Sequence, residues 1–186
     1  MTDEVREDDH EPVTIPEVPS DEVAAAVCAR FPGSIFFESL GQSVVYIDKA
    51  HQGDVAMYLR DEERFSMLID ICAVDHSADA VRHCAPGVHQ ERFELVTQYL
   101  SHARNRRIRT IAQIPESDTT APTITVAFPG ANFSERETFD LFGIEFAGHP
   151  DHSRILLPDD WEGHPLRKDY AAARVPVAFK GDPSPR

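Results

Sequence analysis

The chain has 186 residues, 41% of them hydrophobic and 11 of them Phe, which is enough for one domain with its own core. Its formal charge of −14 is unevenly spread, because residues 1–19 hold seven acidic side chains against Arg6 alone. Net acidity argues against nucleic-acid binding, which needs cations to displace condensed counterions. No apolar run approaches the roughly 20 residues of a bilayer crossing, and no export signal is visible.

The chain therefore reads as soluble and intracellular, meeting a membrane only through partners. Residues 1–19, with Pro12, Pro16 and Pro19, read as a disordered acidic leader. Ser20 is placed to cap a helix, DEVAAAVCARF, whose first turn carries Asp21 and Glu22 and which ends before Pro32-Gly33. Two short strands follow, SIFFES and QSVVYID, joined at Leu40-Gly41 as a hairpin. Asp48 is positioned to cap a second helix with Val55, Tyr58 and Leu59 on one face.

RFSMLIDICAVDH predicts a central strand. Phe65, Met67, Ile69, Ile71 and Ala73 form one face and Leu68, Cys72 and Val74 the other, interrupted by Asp70, which implies cover on both sides. Residues 75–90 read as a polar loop insertion. A long hairpin comes next, FELVTQYL and RRIRTIAQI. Its alternation sets Phe93, Leu95, Thr97 and Tyr99 against Ile114, Ala112, Thr110 and Ile108, with Glu94, Gln98, Arg107 and Arg109 on a half-solvated face. The basic cluster from His102 through Arg109 lacks the aromatics of a nucleic-acid patch and reads as a solvated hairpin tip. Residues 123–128, TITVAF, are strand by propensity, yet Pro122 equally suits a helical turn. Cys28, Cys72 and Cys84 are spaced as buried free thiols, not as a cluster or disulfide framework.

Residues 132–170 are the most informative stretch. Ser134 to Glu137 fits a capping box, with Asn132 as a competing cap. The helix would run to Phe142 and stop at Gly143, with Phe139 and Phe142 on one side and Arg136 and Asp140 able to pair at i, i+4. Two Gly-His-Pro turns follow at 148–150 and 163–165, in a segment dense with Asp151, His152, Arg154, Asp159, Asp160, Arg167, Lys168 and Asp169.

A metal site built from His149, His152, His164 and an Asp is one chemical reading. His149 and His152 are three apart around Pro150, a spacing that does not aim both rings, so no residue is assigned as a metal ligand. An acid–base site pairing His149 or His164 with Glu135 or Asp140 lacks a visible pocket. No phosphate loop, dinucleotide fingerprint or nucleophile elbow is present. The simpler reading is an ordered interface arm. Gly allows close approach, Pro fixes φ, and Arg154 and Arg167 offer bidentate contacts to carboxylates.

The run ERETFDLFGIEFAGHPDHSRILLPDDWEGHPLRKDY resembles the signature of the C subunit of proton-pumping NADH–quinone oxidoreductase, respiratory complex I. LIDICAVD, the paired strands after it and FPGANFSERE are also similar to that family, so the likeness spans about residues 20–170. The resemblance implies an α/β fold, namely a two-layer α+β domain with a mixed sheet and long hairpin over residues 20–146. An extended interface arm and tail would follow at 147–186. It favours a helical turn at 123–128. It implies a non-catalytic structural component, peripheral on the cytoplasmic side of the cell membrane, that braces the D (quinone-site) and B (cluster-bearing) subunits. No cofactor would be bound by this chain, while the complex would use FMN, iron–sulfur clusters and quinone. Carried over by residue, Glu135, Arg136, Glu137, Asp140, Phe142 and Gly143 would anchor the arm. His149, Pro150, Arg154, His164, Pro165, Leu166, Arg167, Lys168 and Asp169 would form the docking loops. An equivalent subunit of an energy-converting hydrogenase or deazaflavin-linked dehydrogenase is the alternative within the same class, and a free-standing His-metal enzyme the alternative outside it. His152 replaces an aliphatic residue common in the family, and YAAARVPVAFKGDPSPR departs from its usual ending.

Overall fold

The computed structural model describes residues 21–170 apart from Ala80, Val81 and His83; the acidic leader, Ser20 and the tail lie outside the described residues. Helix α1 spans Glu22–Arg30, and its cap is Asp21, whose carboxylate accepts from the Val23 and Ala24 amides at 2.9 and 3.1 Å. Strands β1 (Ile35–Ser39) and β2 (Gln42–Ile47) form the expected hairpin. Leu40 and Gly41 both take positive φ (51° and 73°), as a two-residue primed turn requires. Asp48 caps a single 3-10 turn, Lys49–His51, which leads into α2 (Gln52–Asp61) with Val55 and Leu59 buried.

The remaining strands of the main sheet are β3 (Met67–Asp75), β4 (Phe93–Ser101) and β5 (Arg106–Ile114). The order is β1-β2-β5-β4-β3, with β2 and β5 parallel and every other pair antiparallel, so the sheet is mixed. The long hairpin has the register its alternation predicts, Phe93 opposite Ile114 through Tyr99 opposite Ile108. Helices α1 and α2 pack on one face of the sheet, where Val27, Leu59, Phe65, Phe93, Leu95, Tyr99 and Ile114 join a single core. Ala85 and Val88, described residues between β3 and β4, lie against the opposite face, where Tyr46, Ala85 and Ile111 form a second, smaller cluster. This is the two-layer α+β arrangement, with an extra covering segment.

Strand β3 corrects the expectation of a central, doubly covered strand, because it is an edge strand. Its ladder to β4 skips Ile69, a bulge that puts Leu68 opposite Tyr99 and turns Met67 away from the core. Met67, Ile69 and Val74 are consequently exposed, while Ile71 and Ala73 stay buried. The free edge is blunted at Ile71. Its amide donates to its neighbour Asp70 Oδ1 at 2.8 Å, and its carbonyl accepts from Thr138 at 3.4 Å.

Two further expectations change. Glu94 is buried instead of solvated, because Gln113 donates to it at 2.7 Å and His76 lies at 3.3 Å. The cysteines are free but only half-buried. Residues 123–128 form the helical turn that the family resemblance favours over strand propensity, with the Ala127 and Phe128 amides both donating to the Ile124 carbonyl. A short strand β6 (Thr120–Pro122) precedes that turn and pairs in parallel with β7 (Glu145–Ala147). Helix α3, Ala131–Phe142, lies between them in sequence and packs along β3.

Candidate functional site

Helix α3 begins at Ala131, three residues before the capping box, behind a Gly130 N-cap, and no side chain caps it. Glu135 is drawn inward instead. Its side chain is 0% exposed and accepts from the Ile124 amide at 2.7 Å and from Thr123 Oγ1 at 2.6 Å. Burial pushes its pKa up against those two bonds. The buried residues of α3 are Ala131, Glu135, Thr138 and Asp140, with Phe139 and Phe142 half-buried, so polar side chains are the most enclosed on this helix. Glu137 remains exposed.

The C-terminal end of α3 organises residues 149–170. A helix leaves its last four carbonyls without intrahelical donors and carries partial negative charge there. Each of these groups is met. Gly143, at φ +71°, gives the left-handed cap and donates to Phe139 O at 2.8 Å. Asp140 O accepts from His164 Nδ1 at 3.0 Å and from Arg154 at 3.3 Å, and Leu141 O from the Leu166 amide at 3.0 Å. Phe142 O accepts from Arg167 Nε at 2.6 Å, and Gly143 O from the same guanidinium at 3.3 Å. Two cations therefore sit on the negative pole of the helix. A Cβ at Gly143 would lie 2.5 Å from His164 Nε2 and 2.6 Å from Arg167, so glycine is needed for space as well as for φ.

Asp140 fixes the strap's midpoint. One carboxylate oxygen accepts from Arg154 at 2.6 Å; the other accepts from the successive amides of Ile155, Leu156 and Leu157 at 3.1, 2.8 and 2.9 Å. Burial would raise this carboxyl, but those donors overcome it and hold the pKa down to about 2. Arg154 also reaches the carbonyl of Trp161 at 2.9 Å. The expected Arg136–Asp140 pair is replaced. Arg136 holds Ser153 at 2.9 Å and the Arg154 carbonyl at 3.0 Å, while Asp140 pairs with Arg154.

A second anchor, absent from the sequence expectation, lies at the far end of β3. The buried Asp75 receives Arg92 at 2.9 Å and the Lys168 amide at 2.9 Å, and Arg92 reaches Asp169 at 2.8 Å and also pairs with Glu116. Burial opposes the charge on Asp75, but Arg92 and the amides of Lys168 and Ser77 hold its pKa far below the carboxylate range. At the near end, His149 Nε2 lies 3.2 Å from Asn132 O and 3.7 Å from Glu135, and the His149 and Glu135 side chains are both fully enclosed.

The structure thus brings Glu135, Arg136, Asp140, Phe142, Gly143, His149, Arg154, His164 and Arg167 together within the chain, with Pro165 half-buried beside them. Pro150, Lys168 and Asp169 stay exposed, and so do Leu156, Trp161 and Leu166, at 60%, 39% and 47%. Among the described residues no group of three or more His, Cys, Asp or Glu is arranged to hold a metal ion. No helix of the described residues is long and apolar enough to cross a membrane.

Fold and site together define an α/β domain that fastens a long irregular strap to one helix end and displays its apolar side chains. The chain belongs to the family described as the respiratory-chain NADH dehydrogenase 30 Kd subunit, whose model matches residues 45–175. The NADH-quinone oxidoreductase C subunit of Roseiflexus castenholzii is 40% identical over 161 residues, covering 84% of this chain and 87% of that protein. The NADH-quinone oxidoreductase C/D subunit of Chromohalobacter salexigens is 38% identical over 156 residues, covering 82% of this chain and 26% of that longer protein. Among solved structures, a trypsin-resistant fragment of Nqo5 is 30% identical with a TM-score of 0.57, covering 69% of this chain and 96% of the fragment. A chain of the archaeal membrane-bound sulfane sulfur reductase shares the fold, at 20% identity and TM-score 0.61, covering 87% of this chain and 94% of that one.

Proposed function

We propose that this chain is a structural component of a proton-translocating NADH–quinone oxidoreductase and braces the quinone-reducing module through the D and B subunits. Electrons would pass from NADH through FMN and iron–sulfur clusters to quinone within the other subunits, and this chain would supply position, not a reacting group. One observation carries the reading. Residues 149–170 are pinned by buried carboxylates and helix-end carbonyls, yet hold Leu156, Trp161 and Leu166 outward. Ordering an irregular segment costs about 1–2 kcal/mol per residue in backbone entropy, and a strap so held with its apolar side chains in water suits a docking surface.

Residues 20–146 would act as the rigid body and 147–186 as the docking loops and tail. Glu135, Asp140, His149, Arg154, His164 and Arg167 shape the strap from within. Leu156, Trp161, Leu166, Pro150, Lys168 and Asp169 face the partner. The D subunit is supported as the chief partner by the C/D relative, in which one polypeptide carries both designations. The names of the relatives favour the NADH–quinone form over the hydrogenase alternative. The chain would sit on the cytoplasmic side of the cell membrane, attached through the complex.

The test is affinity isolation of the full chain from its own membranes in mild detergent. Co-isolation of the D and B subunits, lost in the Leu156→Asp/Trp161→Ala/Leu166→Asp variant, supports the proposal. Isolation without them, or turnover of a substrate by the chain alone, overturns it.

A further inference from the structure

The root of the strap contains two histidines whose ring nitrogens accept backbone N–H groups. His152 Nε2 accepts from the Phe146 amide at 2.9 Å, and His149 Nδ1 accepts from the Asp151 amide at 3.1 Å. An imidazole accepts a hydrogen bond only where it carries no proton, so both contacts require neutral rings. The tautomers follow: His152 bears its proton on Nδ1, and His149 on Nε2, directed at Asn132 O. Phe146 lies in β7, whose neighbours Glu145 and Ala147 bond to the residues flanking β6 (Glu145 N to Thr119 O, Thr123 N to Ala147 O). The Phe146 amide points the other way. His152 therefore stands where a further strand would supply an acceptor, and the His149 amide closes the same site by donating to Phe146 O at 3.1 Å.

We infer that His152, supported by His149, is an acid-sensitive latch that joins the strap to β7. Protonating His152 removes the acceptor for Phe146. It also places a cation in a half-buried site with its ring 5.6 Å from that of His149. The groups around the pair are Glu135, Arg136 and Asn132 on α3, Glu145 on β7, and Asp151 within the strap. Glu145 and Asp151 favour the cation, but burial and His149 outweigh them and lower the His152 pKa. A depressed histidine pKa gives a latch that is fully closed above the ordinary histidine range and is lost as pH falls through the lowered value.

The test is NMR on the full chain, following the His152 ring nitrogens and Phe146 amide exchange between about pH 5 and 8. The expected result is an unprotonated Nε2 at the upper end. Below it, Phe146 protection should fall about tenfold per pH unit across the window between the closed and open pKa values. His152→Gln places a non-titrating acceptor at similar reach and should keep that protection independent of pH. A proton on Nε2 in the neutral wild-type ring overturns the latch, whatever the variant does. So does Phe146 protection that stays constant while His152 titrates.

Discussion

The β4–β5 hairpin and the strap of residues 149–170 are ordered by opposite means. The hairpin pairs residue by residue and buries one face in the main core, with a single buried carboxylate, Glu94, held across the pair by Gln113. The strap has no period. It is held by two carboxylates and one helix terminus that come from elsewhere in the chain, Asp140, Asp75 and the end of α3. Apolar burial is spread over many contacts, so the hairpin should tolerate single changes. The strap concentrates its stabilisation in a few donors and acceptors, so one atom can release it.

The largest effect is expected at Asp140. Asp140→Asn leaves Arg154 without its counter-charge and weakens the bonds from three amides; breaking a buried pair costs about 3–5 kcal/mol. Hydrogen exchange should show Ile155–Leu157 released while β4 and β5 keep their protection; equal loss in both would make the strap part of the core. Acid should act in the same way. The Asp140 pKa is lowered to about 2, so its contribution is complete above the ordinary carboxylate range and is lost as pH falls through that lowered value.

Gly143→Ala comes next. Left-handed φ costs a residue with a Cβ about 1–2 kcal/mol, and the contact with His164 adds to it. Limited proteolysis within 149–170 should accelerate while α3 persists by circular dichroism. Arg167→Ala should be milder, about 1–2 kcal/mol, through two helix-end carbonyls losing a charged donor. Its effect should be larger on retention in the complex than on melting of the isolated chain. Arg107→Ala on the hairpin's solvated side should change stability by less than about 0.5 kcal/mol. A larger loss by thermal melting would show that the hairpin, too, depends on its charges.

The same contrast explains what could be read in advance. Alternation gave the hairpin faces and register, because a period of two needs only local information. It did not reveal that β3 lies at the edge, since faces say nothing about neighbours, and the bulge at Ile69 reverses Met67. Ser134 and Glu137 spelled a capping box, but the helix starts earlier, at Ala131 behind Gly130, and Glu135 turns inward to Ile124 and Thr123. Gly143 was legible as a stop. That Arg154, His164 and Arg167 return to that stop was not, because their partners lie 14 to 25 positions earlier in the chain. Asp75 and Arg92 were missed outright; the hint was an acidic residue ending an apolar strand, which has many ordinary explanations.

Trp161 is the chain's single tryptophan and lies at the strap's exposed crest. Its fluorescence quenching by a soluble quencher, compared between the isolated chain and the purified assembly, tests most directly whether the strap is displayed for a neighbouring polypeptide. Ready quenching in the chain alone and strong protection in the assembly is the predicted result. Equal quenching in both would contradict the account.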